Sequence, residues 1–147
     1  MNAVLLRDLI VLAARAALGV VFIAHGWQKF STNGMEATVT GFEGMGIPLP
    51  ALSAWFTVAV ELVGGVLMIA GLGVPLLGLL MAFTMFGAMF LVHLEGGLMS
   101  SNGGYEYTLI LAAFSLMIAA IGAGRLSVDQ VISPRLASGV ARVPATA

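Results

Sequence analysis

Residues Ala14–Phe30 read ARAALGVVFIAHGWQKF. The stretch is apolar, carries Arg15 in its first half and closes on His25, Trp27, Gln28 and Lys29. In water such a helix would be anomalous. In a bilayer it reads as a spanning helix with one costly charge inside and a polar, aromatic collar where it leaves the hydrocarbon. Arg15, Gly19, Phe22, Gly26 and Lys29 follow one another at intervals of four, three, four and three, so they share one face. The two glycines allow a second helix close to that face. The face is therefore expected to look inward, and Arg15 to need a partner from another helix.

The whole chain agrees with this reading. Of its 147 residues 60% are hydrophobic and 9% charged, and mean hydropathy is +1.06. Soluble domains carry about a quarter charged residues, so this chain cannot cover a water-facing surface and its first partner is the lipid bilayer. A net charge of −1 gives no electrostatic footprint for nucleic acid. Cysteine is absent, which removes any protein thiol, disulfide or cysteine-ligated cluster from the chemistry available to the chain. Arg15 interrupts the N-terminal apolar region, and that region runs on too long for a cleaved signal. It reads as an uncleaved anchor helix.

About 20 mostly apolar residues are needed to span. Four segments meet that requirement: Leu9–Phe30, Ala51–Leu72, Val74–His93 and Tyr105–Gly122. The expected fold is all-α, a four-helix transmembrane bundle forming one domain over residues 1–132, with 133–147 a disordered tail rich in small residues and proline. Ser31–Pro50 mixes glycine and proline with Phe42, Met45, Ile47 and Leu49, and is expected to fold back on the membrane as a short helix or loop. Leu72–Val74 is a tight turn, and Leu94–Gly104 is a Gly- and Ser-rich loop. Arg7, Arg125, Arg135 and Arg142 fall on the side of the termini and Lys29 on the other, which assigns both termini to the cytoplasm.

Glu61, in AVELVGG, sits at the middle of the second helix, where an ionised carboxylate must be paired or protonated. Counting from the cytoplasmic ends puts Arg15 at ~10 Å depth and Glu61 at ~15 Å. A long guanidinium spans that gap, so an Arg15–Glu61 pair is expected, serving either packing or function. Gly64 and Gly65 share the face of Glu61 and could admit a helix or a ligand. Met81, Met85 and Met89 form a stripe that reads first as core. Beside Phe83, Phe86 and Phe90, the stripe could instead line a slot for a flat apolar ligand such as a quinone. Gly26, Lys29, Gly64, Gly65 and Met85 are the candidate lining of such a site, with Arg15 and Glu61 as its chemical groups. At the outer ends His25, Lys29, His93, Glu95, Tyr105 and Glu106 converge. Two histidines alone are a weak metal signal, so no metal is assigned. Ser127 should N-cap a short helix after the fourth span, and Asp129 could pair with Arg125.

Arg15 followed by LG and HGWQKF, the Gly- and Pro-containing outer loop, Glu61 followed by Gly64, Gly65 and Gly71, and the terminal GAGRLSVD (Gly122–Asp129) together resemble the DoxX family of small four-helix membrane proteins. The resemblance runs from Arg15 to Asp129. It implies a bacterial inner-membrane location and an association with membrane redox. Relatives include the large subunit of a thiosulfate:quinone oxidoreductase, and a mycobacterial member is described as a scaffold for superoxide dismutase and a thiosulfate sulfurtransferase. Three functions follow as expectations. One is a redox-associated subunit that binds quinone or a small sulfur or oxygen species near Arg15 and Glu61, working with membrane or peripheral redox proteins. Another is a non-enzymatic scaffold of a larger membrane complex. The third is a small transporter, for which four helices are few unless the chain forms a homo-oligomer.

Overall fold

A computed structural model of the chain describes residues 3–132. Four apolar helices form the body: α1 (Ala3–Thr32), α3 (Pro50–Ala70), α4 (Val74–Gly96) and α5 (Glu106–Ile121). A fifth, α2 (Met35–Gly44), lies between α1 and α3. No strand occurs among the described residues. Three of the four are long and apolar enough to cross a membrane. The fourth, α5, has 16 residues, roughly 24 Å at 1.5 Å per residue, and is the shortest crossing. Leu79, Phe83, Val63, Val66 and Ile110 lie on the outside with more than half their surface uncovered. Large apolar residues on the outer faces of these helices make lipid the solvent that fits. The chain is a multi-pass membrane protein.

The bundle is two tight pairs, α1 on α3 and α4 on α5. The first pair approaches at glycine. A Cβ on Gly19 would lie 2.6 Å from the Gly65 carbonyl oxygen, and one on Gly65 would lie 2.9 Å from that of Gly19. Backbones this close gain dispersion contact that any side chain would forbid. In the second pair Gly78 meets Ser115 and Ala119 of α5 in the same way. Between the pairs Leu18, Phe22, Val60, Met68, Met81, Met85 and Ile118 make one apolar core.

One boundary differs from the sequence reading by more than a turn. Helix α1 starts at Ala3, not Leu9, because Arg7 and Asp8 are compatible with helix at a membrane interface and stop nothing. The Ser31–Pro50 connection, expected as a short helix or loop, holds the helix α2, anchored where the Thr38 hydroxyl donates to the Lys29 carbonyl at 2.9 Å. Ser127 does cap a helical stretch at residues 128–132, its hydroxyl oxygen accepting from the Gln130 N–H at 3.3 Å. The tail assigned to residues 133–147 lies outside the described residues.

A feature absent from the sequence reading is a π-helical turn in each long helix: Gln28–Thr32 in α1, Val60–Gly64 in α3 and Met89–His93 in α4. A π turn inserts one residue into the ladder and re-aims the side chains around it, and such turns concentrate at functional sites. Lys29 lies on the first and Glu61 on the second.

Candidate functional site

The expected Arg15–Glu61 pair does not form. Glu61, 2% exposed, is held by Lys29, whose Nζ donates to both carboxylate oxygens at 2.7 and 2.8 Å. The reason is register and side-chain direction. Gly26 of α1 lies against Glu61 and Leu62, and Arg15 lies against Gly71. Eleven residues along α1 therefore separate Arg15 from the level of Glu61, ~16 Å at 1.5 Å per residue. Helical side chains also lean toward the N-terminus of their own helix. In an antiparallel pair that rule brings Lys29 and Glu61 together and carries Arg15 and Glu61 apart.

The pair is built for contact. A Cβ on Gly26 would stand 2.8 Å from the Glu61 Cβ, so only glycine lets α1 close over the acid at this level. Lys29 sits one turn further out and reaches back down. Its side chain is 24% exposed, so the ion pair is sealed on the carboxylate side and open on the ammonium side. His25 is near enough to act electrostatically on Glu61. Its Nδ1 lies 2.9 Å from the Val21 carbonyl and its ring stands 6.0 Å from that of Tyr107. Phe30 and Trp55 meet edge-on at 6.4 Å on the same side of the bundle.

The remaining predicted site residues divide between this pair and the packing. Gly26 and Lys29 belong to the site. Gly65 is filled by α1, and Gly64 faces Met81 and Leu77 of α4. Neither opens space for a ligand. Met81, Met85 and Met89 all point into the core, whereas Phe83 and Phe90 point outward. The predicted slot therefore does not exist as one surface: Phe83 pairs instead with Phe56 at 6.1 Å. Of the outer polar cluster, His93 lies 2.9 Å through Nδ1 from the Gly103 carbonyl, and Glu106 accepts from the Ser100 N–H at 2.7 Å. No group of three metal-ligating side chains occurs among the described residues.

Arg15 belongs to a second cluster at the opposite end of the bundle. It is fully buried, and its Nη2 donates to the Leu126 carbonyl at 2.6 Å. Its Nε and Nη1 have no hydrogen-bond partner among the described residues. The guanidinium packs on the C-terminus of α3, where the helix dipole presents its negative end. Gly71 ends α3 with φ +76°, and a Cβ there would overlap the guanidinium. Asp129 then ties the next helix down. Its carboxylate accepts from Gly73 N–H at 2.9 Å and Val74 N–H at 3.3 Å, and its own N–H donates to the Gly71 carbonyl at 3.0 Å. Asp129 thus caps α4 and does not pair with Arg125, whose Nε lies 3.9 Å from Asp8 Oδ2. Arg15, Gly71 and the Leu126–Asp129 segment form one latch that fixes both sides of the α3–α4 turn.

The family model described as DoxX matches residues 10–94. The chain belongs to the DoxX family. Among curated proteins this DoxX chain is 36% identical over 121 residues to "Putative oxidoreductase CatD" of Bacillus subtilis, covering 82% of this chain and 85% of that protein. It is 28% identical over 130 residues to "Inner membrane protein YphA" of Escherichia coli, covering 84% of this chain and 91% of that protein. No solved structure matches. The matched region contains the whole Lys29–Glu61 site and the Arg15–Gly71 half of the latch.

Proposed function

We propose that this DoxX chain is the membrane subunit of a redox system and that its Lys29–Glu61 pair receives the head group of a quinone. The observation that carries the reading is the asymmetry of the pair. A carboxylate sealed in the bundle is held by both oxygens, while its ammonium partner stays a quarter exposed. Burying an ion pair in hydrocarbon is costly, and such pairs mark proton and ligand sites more often than they stabilise a bundle. The printed name of the B. subtilis relative, an oxidoreductase, points the same way.

A quinone supplies a lipid-soluble acceptor of two electrons and two protons. The residues here fit its needs at one carbonyl. The Lys29 ammonium would donate a hydrogen bond to that carbonyl, the Phe30 and Trp55 rings would offer an apolar flank, and Glu61 would keep Lys29 charged and in place, the two protons taken up on reduction coming from water on the exposed ammonium side. Electrons come from a partner redox protein docked on the membrane. Arg15, by contrast, is a positioning residue of the bundle and takes no part in this chemistry.

The test is purification in mild detergent with solvent extraction of quinone and identification of co-purifying proteins from the same sample. Stoichiometric quinone in the wild type that is lost in Lys29→Met and Glu61→Gln, and kept in Asp129→Ala, is the expected result. A quinone-free protein bound to a larger membrane complex overturns the reading and leaves a scaffold.

A further inference from the structure

We infer that the bundle carries a binding site for a phosphate-and-amine head group, that of a zwitterionic phospholipid of the phosphatidylethanolamine class, at its arginine-bearing end. The site is a cleft of about 330 Å³ between the first turns of α1, the start of α4 and the segment that follows α5. That volume lies at the lower end of ligand-sized clefts, ~300–1,000 Å³.

The cleft exists because α1 outruns its partner. Helix α3 ends at Ala70, level with Arg15, so the twelve residues from Ala3 to Arg15 extend ~18 Å past it. On this overhang Val4, Arg7, Asp8 and Val11 continue the stripe that deeper down is core, and here they line the cleft. Leu5, Leu6, Leu9 and Ile10, on the opposite side, are exposed. Asp8 and Val11 are turned inward while Val4 and Arg7 stand exposed at the cleft's mouth, and a carboxylate turned in beneath exposed leucines is the reverse of a helix in water. It places the overhang at the lipid boundary, with its charges facing the cleft.

The charges are unsatisfied in a specific way. Arg7 has no ion pair among the described residues, and Arg125, 71% exposed, reaches Asp8 only at 3.9 Å. Asp8 is itself 12% exposed, a nearly buried carboxylate with one long-range cation. Both Asp129 oxygens are already engaged by the α4 amides. Arg7 is therefore unpaired among the described residues, and Arg125 and Asp8 share one contact at 3.9 Å, long enough to leave each of them room for a closer partner. Guanidinium recognises phosphate, and the carboxylate calls for a second cation. Two arginines against two aspartates sum to zero charge. The basic pockets that take anionic lipid carry an excess of Lys and Arg, and this one does not. A head group with its phosphate between Arg7 and Arg125 and its ammonium on Asp8 gives Arg7 a partner and gives Arg125 and Asp8 a closer one each, and the apolar lining of Val4, Val11 and Pro75 receives the first acyl carbons.

The experiment is native mass spectrometry of the delipidated full-length protein titrated with phosphatidylethanolamine, phosphatidylglycerol and soluble phosphoethanolamine. The wild type should bind phosphatidylethanolamine about tenfold more tightly than phosphatidylglycerol. Arg7→Ala with Arg125→Ala should weaken phosphatidylethanolamine by a similar factor, and Asp8→Asn should abolish or reverse the preference. Equal affinity for the two lipids in the wild type overturns the proposal, as does an unchanged preference in Asp8→Asn. Phosphoethanolamine competing as tightly as the lipid moves the site to a soluble ligand and overturns the lipid assignment. Should the double arginine variant fail to fold, Asp8→Asn alone decides, because it keeps the size of the side chain and leaves both guanidinium groups in place.

Discussion

Lys29 and Glu61 should respond unequally to the loss of each other. Lys29→Met strands a carboxylate that is 2% exposed. Removing one partner of a buried pair costs about 3–5 kcal/mol, and the partial exposure of Lys29 favours the lower end, about 3 kcal/mol. Glu61→Gln is milder. The amide oxygen still accepts from Nζ, and a freed Lys29 can extend to the interface, so about 1 kcal/mol is expected. The double variant should lose about 2 kcal/mol, which leaves a coupling of about 2 kcal/mol between the positions. Arg15→Met combined with Glu61→Gln should instead be additive within about 0.5 kcal/mol, since the groups are ~16 Å apart along the bundle. Reversible unfolding in mixed micelles, followed by far-UV circular dichroism, supplies all the free energies. Coupling of Arg15 to Glu61 as strong as that of Lys29, or a Lys29→Met no costlier than Glu61→Gln, would refute the reasoning from register and side-chain direction.

Two further outcomes test the frame around the site. Gly71→Ala forces a side chain into a left-handed conformation at φ +76° and onto the Arg15 guanidinium. A loss of about 3 kcal/mol is expected in the same unfolding assay, partly recovered when Arg15→Met is added. Because the chain has no cysteine, single cysteines report topology directly. Asn102→Cys should react with a membrane-impermeant maleimide applied from outside intact cells, and Arg125→Cys should react only after permeabilisation.

The fold was legible because its signals are strong and local. Four apolar runs, separated by Gly71 and Gly73 at one junction and by Gly- and Ser-rich loops at another, admit few arrangements in a bilayer. The inward face of α1 was legible from the intervals between Arg15, Gly19, Phe22, Gly26 and Lys29, and Gly19, Phe22 and Gly26 are all buried. What failed was the pairing across helices. Equal depth from the two apolar ends presumes that α1 and α3 end level, whereas the end of α3 at Gly71 already lies against Arg15 and α1 runs on past it. The register between α1 and α3 is set by glycine contacts that no single helix reveals. The π turns were invisible for a related reason. QKFST, VELVG and MFLVH contain no proline, and Gly64 of VELVG marks the turn no differently from glycines elsewhere in these helices.

The separation of the two buried charges bears on which residues can be functional. Arg15 looks the more arresting of the two in the sequence, a guanidinium deep in an apolar helix. Yet the groups around it, Gly71, the Leu126 carbonyl and Asp129, are all occupied in closing turns and capping helices, and each bond joins parts of the chain that must meet for the bundle to close. Glu61 has one partner, and that partner can leave: Lys29 makes no other side-chain hydrogen bond among the described residues and is the more exposed of the two. A ligand that bonds the ammonium therefore competes with a single ion pair, whereas one for the unpartnered Nε and Nη1 of Arg15 must first open the junction of α3, α4 and the segment after α5 that buries them. Exchangeable chemistry belongs where release costs one interaction, and that is the ground for proposing Lys29 and Glu61, and not Arg15, as the working pair.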